Sequence, residues 1–317
     1  MKKNKKINMM LILILVGLSS IAIFSGKVNL LKIDTQLADT IFYQIRLPRV
    51  LVAIFAGSSL AISGLILQGL LQNPLADSYT LGISSGGAFG ACLGILLNTK
   101  LNMNLPIQLL AIAFSYLVIL IVLWLTKVKG KLETSNIIIG GIIVGSFFSA
   151  GLSLLKTLAD EDVNSMVFWL MGSLSSKPLT SALVLGIVSV VGLLITSRYM
   201  NELNIITLGR REAQTMGISY DFIYRLLMFI AVSLTAFSVS ICGIIGFVGL
   251  VVPHLCRILV GADNRKLLSM SAILGAIFLL TADTLTRTVL QHELPVGVLT
   301  TMVGGPFFIY IFIKKKR

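Results

Sequence analysis

Charged side chains within apolar segments are the residues in this sequence best placed to do chemistry. Asp283 and Arg287 are four residues apart, and Arg46 and Arg49 are three apart, so each pair would share one helix face. The simplest account of Asp283 and Arg287 is an ion pair within one helix, which leaves Arg46 and Arg49 unexplained. Two guanidinium groups on one face suit either bidentate recognition of carboxylates or anchoring among lipid phosphates. Both interpretations stay open at this point.

Metal, nucleotide and intramembrane enzyme chemistry find little support in the sequence. Cys92, Cys242 and Cys256 show neither metal spacing nor a disulfide pattern, which favours a packing role. His254 and His292 are the only histidines. The sequence contains no G-x-x-x-x-G-K-[ST] loop for ATP and no paired aspartates on facing spans. We therefore expect no catalytic residue, metal or cofactor in this chain.

The elements that would position these residues are membrane-spanning helices. Of the 317 residues, 56% are hydrophobic and only 12% are charged, whereas an ordinary soluble domain carries about 25% charged residues. Each span needs roughly 20 apolar residues. These figures predict an all-α integral membrane protein that forms one polytopic domain over residues 1–317. Ten apolar runs fall at about 8–25, 48–70, 81–97, 106–126, 135–155, 181–197, 222–242, 246–261, 268–286 and 294–313.

The distribution of positive charge predicts the topology. Ten crossings return both termini to one side, and 18 of the 26 Lys and Arg residues then fall on that side, which the positive-inside rule makes the cytoplasm. The net charge of +13 is thereby explained by membrane insertion and a weak attraction to anionic lipid, without nucleic acid as a partner. A cleaved signal peptide at the first run is disfavoured because no A-x-A site follows it. Arg46, Arg49 and Arg287 lie on the outer side, where the rule does not predict them.

Proline-containing breaks are predicted at Asn73-Pro74-Leu75 and Val252-Pro253-His254. Irregular backbone at membrane depth is tolerated only where protein or a cavity shields it. Gly64 and Gly243 each precede the proline of one break by ten residues, in spans that cross in opposite directions. This spacing fits an inverted repeat, although two matched points alone do not separate a repeat from chance.

The longest polar stretch on the predicted cytoplasmic side is 201–220. Its pattern predicts two short helices around Gly209. Apolar residues within it could dock a cytoplasmic partner or lie on the bilayer, and an ordinary loop is the remaining interpretation. Those apolar residues are Ile205, Ile206, Leu208, Ala213, Met216 and Ile218.

Several motifs, in order along nearly the whole chain, resemble the FecCD family of ABC-importer permeases, which serve iron-siderophore, haem and vitamin B12 uptake. The first half carries Arg46-Leu47-Pro48-Arg49, Asn73-Pro74-Leu75-Ala76-Asp77 and Leu81-Gly82-Ile83-Ser84-Ser85-Gly86. The second half carries Gly246-Phe247-Val248-Gly249-Leu250-Val251-Val252-Pro253-His254, and then Glu293-Leu294-Pro295-Val296-Gly297 with Gly304-Gly305-Pro306. The resemblance implies a type II ABC importer permease fold with an inverted repeat, in the bacterial cell membrane.

The resemblance also implies partners and a function. Two permease subunits, identical or paralogous, would surround one path, with two cytoplasmic ATPase subunits that bind ATP-Mg and a substrate-binding protein outside. The chain would be the permease subunit that translocates a metal chelate by alternating access, with an iron(III)-siderophore as the first candidate and haem or cobalamin next. An ion-driven secondary transporter is the alternative from another class, and Asp283 is its candidate ionisable residue.

Residue roles follow from the same resemblance. Arg46, Arg49 and Arg287 correspond to arginines that engage acidic residues of the binding protein. Two cytoplasmic gates are expected at Asn73 with Leu75 and at Thr134 with Ser135. Arg210-Arg211 depart from relatives, in which these positions are commonly acidic, so the ATPase surface that is used stays open. The coupling helices that contact the ATPases, within 201–220, would use Leu208, Gly209, Arg210, Arg211, Glu212, Ala213, Met216 and Gly217.

Overall fold

The structure, a computed structural model, describes residues 2–25, 34–128, 131–132, 134–288 and 294–315. Nearly all of them are helical. The residues outside these ranges include His292, Glu293 of the second-half motif, and Lys316 and Arg317 at the C-terminus. The helices are α1 (Lys2–Phe24), α2 (Thr35–Ile41), α3 (Leu47–Leu70), α4 (Ile83–Lys100), α5 (Ile107–Leu125), α6 (Thr134–Leu158), α7 (Val163–Leu170), α8 (Leu179–Arg198), α9 (Met200–Ile206), α10 (Arg210–Thr215), α11 (Tyr220–Cys242), α12 (Val248–Val260), α13 (Asn264–Thr288) and α14 (Val296–Lys315).

Short elements complete the chain. A π-helical turn, Phe42–Arg46, joins α2 to α3, and a 3-10 turn, Asp160–Asp162, precedes α7. Lys127–Val128 (β1) and Lys131–Leu132 (β2) form a two-residue antiparallel pair between α5 and α6. The helical stretch 35–46 and helix α7 were not predicted from the sequence.

Each of the ten predicted spans coincides with a helix, which confirms the all-α membrane fold. Within the part of the chain that the structure describes, seven helices are long and apolar enough to cross a membrane, and two apolar helical stretches, Val248–Val260 and Val296–Ile309, are shorter. Helix α4 also fills a predicted span, but its many glycines make it less apolar. Cys92, Cys242 and Cys256 are buried free thiols, in agreement with a packing role.

Helix α3 lies at the centre of the bundle. It is apolar on all sides and packs against α8, α11, α12 and α13, as expected for a helix surrounded by others. Glycines allow the closest crossings: a Cβ atom added to Gly57 would lie 2.2 Å from the carbonyl oxygen of Gly275 in α13. A Cβ atom on Gly64 would lie 1.9 Å from the carbonyl oxygen of Gly249 in α12. Helix association in a membrane depends on such close packing.

The two predicted proline breaks have different outcomes. Pro74 does lie in a non-helical segment, since α3 ends at Leu70 and α4 begins at Ile83. The prediction at Pro253 was wrong, because Pro253 lies inside the continuous helix α12. The irregular backbone of the second half precedes this helix, where Gly243 has φ 73° and Phe247 has φ 67°.

Candidate translocation and coupling site

The segment 71–82, between α3 and α4, holds the predicted gate residues Asn73 and Leu75 in a fixed turn. The Asn73 Oδ1 atom accepts a hydrogen bond from the Leu75 amide at 2.9 Å. The Asp77 carboxylate likewise accepts from the amides of Tyr79, at 3.0 Å, and Thr80, at 2.9 Å. Asn and Asp side chains stabilise turns in this way. The Leu75 side chain remains 41% exposed at the tip.

The other two predicted gate residues, Thr134 and Ser135, begin helix α6. This helix meets the segment 71–82 further along, where a Cβ atom on Gly141 would lie 2.6 Å from the carbonyl oxygen of Thr80. The two predicted gates therefore belong to elements whose backbones touch. Beside the segment 71–82 lies a cavity of about 350 Å³, lined by Leu75, Asp77, Tyr79, Thr80, Gly246, Phe247, Leu250 and Thr301.

Gln68, a residue that was assigned no role from the sequence, compensates for the proline inside α12. A helical proline has no N–H for the carbonyl four residues before it, which for Pro253 is that of Gly249. The buried Gln68 Nε2 atom donates to the Gly249 carbonyl oxygen at 3.1 Å, and Arg257 donates to Gln68 Oε1. Gln68 thus joins α3 to α12 where the helices cross at Gly64. In membranes, neighbouring helices commonly supply the hydrogen bonds that a proline removes from a helix backbone.

The segment 201–220 contains two short helices around Gly209, as predicted. Gly209 has φ 131°, which glycine adopts easily and other residues rarely do. On the face that packs against the bundle, Leu203, Ile206 and Ala213 are fully buried. On the opposite face of the segment, Leu208 is 63% exposed and Met216 is 62% exposed. The predicted coupling residues therefore divide into an anchored face and an exposed face.

Arg210 and Arg211 fall on different faces of this segment. The Arg210 Nη2 atom pairs with Asp221 at 2.9 Å, and its guanidinium lies over the Tyr220 ring, 5.1 Å from the centroid. Arg211 is exposed, as are Glu212 and Gly217. Because Arg210 is engaged within the chain, the basic departure from relatives leaves one exposed arginine for a partner.

Helix α9 is also hydrogen-bonded to the turn between α12 and α13. The Asn204 Nδ2 atom donates to Asp263 Oδ1 at 3.0 Å, and the Asn264 amide donates to Asn204 Oδ1 at 2.8 Å. Hydrogen bonds from Arg265 first, and then from Asn204, lower the pKa of Asp263 to about 2. A lowered pKa stabilises the fold at pH values above the ordinary aspartate pKa of about 3.9, and this stabilisation is lost only as the pH falls towards 2. Asp263 therefore accepts this hydrogen bond throughout the physiological range.

Asp283 is shared between helices rather than kept for Arg287 alone. The fully buried carboxylate pairs with Arg49 Nε of α3 at 2.9 Å and with Arg287 Nε at 3.6 Å. The predicted pair between Asp283 and Arg287 is therefore confirmed, and Arg49, which that pair left unexplained, contacts the same carboxylate. The tertiary contact joins residues 234 positions apart, which helical spacing could not reveal.

Arg46 and Arg287 also bind the C-terminal end of α1. Arg46 Nη1 donates to the carbonyl oxygen of Ile23 at 2.6 Å, and Arg287 donates to those of Ser25, at 3.1 Å, and Ala22. The last carbonyls of a helix have no intrahelical donor and favour positive charge. All three arginines are buried and engaged within the chain. The docking role implied for them by the resemblance stays a prediction.

This fold and site define a polytopic α-helical membrane protein with an irregular segment beside a cavity and an anchored polar segment at one end. The chain belongs to the FecCD transport family, whose model matches residues 4–314. It is a multi-pass membrane protein of the ABC importer permease type, with the fold that the motifs implied.

Relatives of similar identity carry names for different cargoes. The chain is 37% identical to the cobalamin import system permease protein BtuC of Halobacterium salinarum, covering 87% of this chain and 74% of the relative. It is 36% identical to the molybdate import system permease protein MolB of Haemophilus influenzae (92% and 86%) and 35% identical to the Fe(3+)-citrate import system permease protein YfmE of Bacillus subtilis (96% and 93%). A solved inward-facing metal-chelate type ABC transporter is 33% identical with TM-score 0.88, over 98% of this chain and 99% of the other.

Proposed function

We propose that this FecCD-family permease translocates a metal chelate across the cell membrane, with an iron(III)-siderophore as the first candidate and haem or cobalamin next. The relatives named for Fe(3+)-citrate and cobalamin, and the solved metal-chelate transporter, support a chelate. The molybdate relative makes an oxyanion the competing cargo. In this chain the carboxylate of Asp77, beside the cavity, is occupied by backbone amides, which suits a bulky chelate better than a bare cation.

We further propose that two such permeases, identical or paralogous, work with two ATPases and an outer binding protein. The observation that carries this proposal is the divided segment 201–220: its inner face is packed into the bundle, while apolar Leu208 and Met216 are exposed on the opposite face. Exposed apolar groups rimmed by polar residues mark interaction surfaces. The ATPases, which bind ATP-Mg themselves, would contact this exposed face on the cytoplasmic side, where both termini would also lie. This chain would need no cofactor of its own.

Alternating access would then be driven from the cytoplasmic side. Each state of the path is favoured to the extent that an ATPase or the binding protein binds it more tightly than the other state. An ion-driven secondary transporter would instead need a carboxylate that can exchange its proton or cation. Asp283 is poorly suited to that role, since it is fully buried and paired with Arg49 and Arg287.

Reconstitution tests this function directly. Proteoliposomes that contain the permease, its ATPase and its binding protein should take up the ferric siderophore with ATP, and a catalytically dead ATPase should abolish uptake. Competition by unlabelled haem, cobalamin and molybdate identifies the cargo class. Uptake that persists with the dead ATPase would refute the importer proposal, and uptake of molybdate alone would refute the chelate.

The exposed arginine of the segment 201–220 gives a separate prediction. Arg211→Glu should weaken copurification with the ATPase several-fold at low salt, with a smaller effect at high salt, because surface charge pairs are screened. Arg225→Glu, an exposed arginine on α11 outside the segment, is the matched control and should leave copurification unchanged. Equal retention of both variants would mean that Arg211 does not face the ATPase.

A further inference from the structure

The side chain of Gln72 joins the segment 71–82 to the segment 201–220. Gln72 lies just beyond the end of α3, and its Nε2 atom donates to the carbonyl oxygen of Ile206 at 2.9 Å. Ile206 is the last residue of α9. The next residue after Gln72 is Asn73, whose side chain fixes the turn at Leu75. The contact therefore connects the end of α9 to the start of the predicted gate.

Helix α9 is suited to transmit a displacement because its position is fixed by its neighbours. A helix of seven residues is too short to be stable alone, so its contacts determine where it lies. Leu203 packs directly on α3, where a Cβ atom on Gly69 would lie 2.9 Å from Leu203 Cδ1. On another side Asn204 binds Asp263 and the Asn264 amide. A displacement of the exposed face of the segment 201–220 would therefore move α9 as a rigid unit.

The receiving end is also stiff. The Asn73 amide donates to the Gln68 carbonyl oxygen at 3.2 Å, and the Ala76 amide donates to the Asn73 carbonyl oxygen at 3.1 Å. Gln72 itself has φ 48°, a left-handed conformation that few residues other than glycine adopt. A displacement of Gln72 would therefore move the turn at Leu75 instead of being absorbed by a slack loop.

From these contacts we propose that Gln72 is the positioning residue through which movement of the segment 201–220 moves the segment 71–82. The proposal rests on the proposed function, since it assumes that an ATPase acts on the segment 201–220. Gln72 contacts neither cargo nor nucleotide in this scheme. Its amide holds the gate turn against α9, so that one follows the other.

The fold does not depend on this hydrogen bond. The Ile206 carbonyl oxygen also accepts from the Gly209 amide at 3.1 Å, so the loss of Gln72 leaves it satisfied. The Gln72 side chain is exposed, so its removal opens no cavity. Substitution at Gln72 can therefore break the link without unfolding the permease, which makes the proposal testable in the intact transporter.

The experiment measures cargo transported per ATP hydrolysed in proteoliposomes with the complete transporter. Gln72→Met and Gln72→Glu keep the size of the side chain but remove the donor at physiological pH. They should leave ATP hydrolysis within about twofold of wild type and lower cargo per ATP at least fivefold. Gln72→Lys keeps a donor of similar reach and should retain most of the coupling. Gln108→Glu, at an exposed glutamine in the first turn of α5, is the matched control and should behave as wild type.

Each outcome has a distinct meaning. Unchanged cargo per ATP in both donor-lacking variants would overturn the proposal, and so would the loss of folded transporter in both, because Gln72 would then be structural. Equal uncoupling in Gln72→Lys would also overturn it, because the donor would not matter. A wild-type transporter that shows no ATP-driven uptake would instead refute the proposed function on which this inference rests.

Discussion

Asp283→Asn should lower the free energy of unfolding by about 3–5 kcal/mol, one of the largest effects expected of any single substitution in this chain. The variant keeps the shape of the side chain and removes only its charge. Arg49 and Arg287 would then keep buried positive charges without the carboxylate that both now contact, at 2.9 and 3.6 Å. Breaking a buried pair on one side is costly because the remaining charge cannot return to water.

The exposed pair between Lys100 and Asp160 provides the matched control. These side chains approach to 2.6 Å, closer than Arg49 and Asp283, but Asp160 is 70% exposed. Surface pairs contribute about 0–1 kcal/mol, so Asp160→Asn should change the melting temperature little. The measurement is thermal unfolding of both variants in detergent, monitored by tryptophan fluorescence. Similar melting temperatures for the two variants would show that burial does not decide the strength of the Asp283 contacts.

This cluster also constrains any test of the docking prediction. Charge reversal at Arg49 would place two carboxylates together in the interior, and the permease would be damaged before a partner could be tested. A loss of binding-protein affinity in such a variant is informative only when its folded amount and melting temperature match those of the wild type. A test of the docking role of Arg46, Arg49 and Arg287 must therefore distinguish a loss of binding from a loss of folded permease.

Features that repeat along one helix could be predicted from the sequence. Runs of about 20 apolar residues predict spans because the bilayer fixes their length, and all ten coincide with helices. The two short helices around Gly209 follow from a polar stretch divided by a residue that accepts φ 131°. The helical stretch 35–46 was not predicted; its π-helical turn, Phe42–Arg46, continues directly into α3.

Features that join distant parts of the chain could not be predicted in this way. Gln68 and Pro253 are 185 positions apart, and nothing in either neighbourhood indicates that one supplies the donor that the other lacks. Pro253 was interpreted as a break because a proline within a membrane helix is tolerated only where a neighbour satisfies the freed carbonyl. The sequence around Pro253 does not reveal that neighbour. The resemblance to a family placed the gate and coupling residues, but the contact between Gln72 and Ile206 required coordinates.

Gly64→Ala should be strongly destabilising although it adds one methyl group. The new Cβ atom would lie 1.9 Å from the carbonyl oxygen of Gly249, whereas a carbon and an oxygen in contact are about 3.3 Å apart. The obstacle is backbone and not the end of a flexible side chain, so α3 and α12 must move apart. Overpacking of this kind costs about 3 kcal/mol or more. Separation of the helices would also draw Gln68 away from the carbonyl that Pro253 leaves without a donor.

Gly17→Ala separates this steric effect from the helix propensity of alanine. Gly17 lies within α1, and among the described residues no atom outside the adjacent helix backbone lies within 4 Å of the position of an added Cβ atom. Alanine favours a helix over glycine by about 1 kcal/mol, so this variant should melt at or slightly above the wild-type temperature. Gly64→Ala should melt far below it and should yield less folded protein by size-exclusion chromatography. If both variants melted together, the crossing at Gly64 would tolerate separation, and the position of Gln68 against α12 would not depend on it.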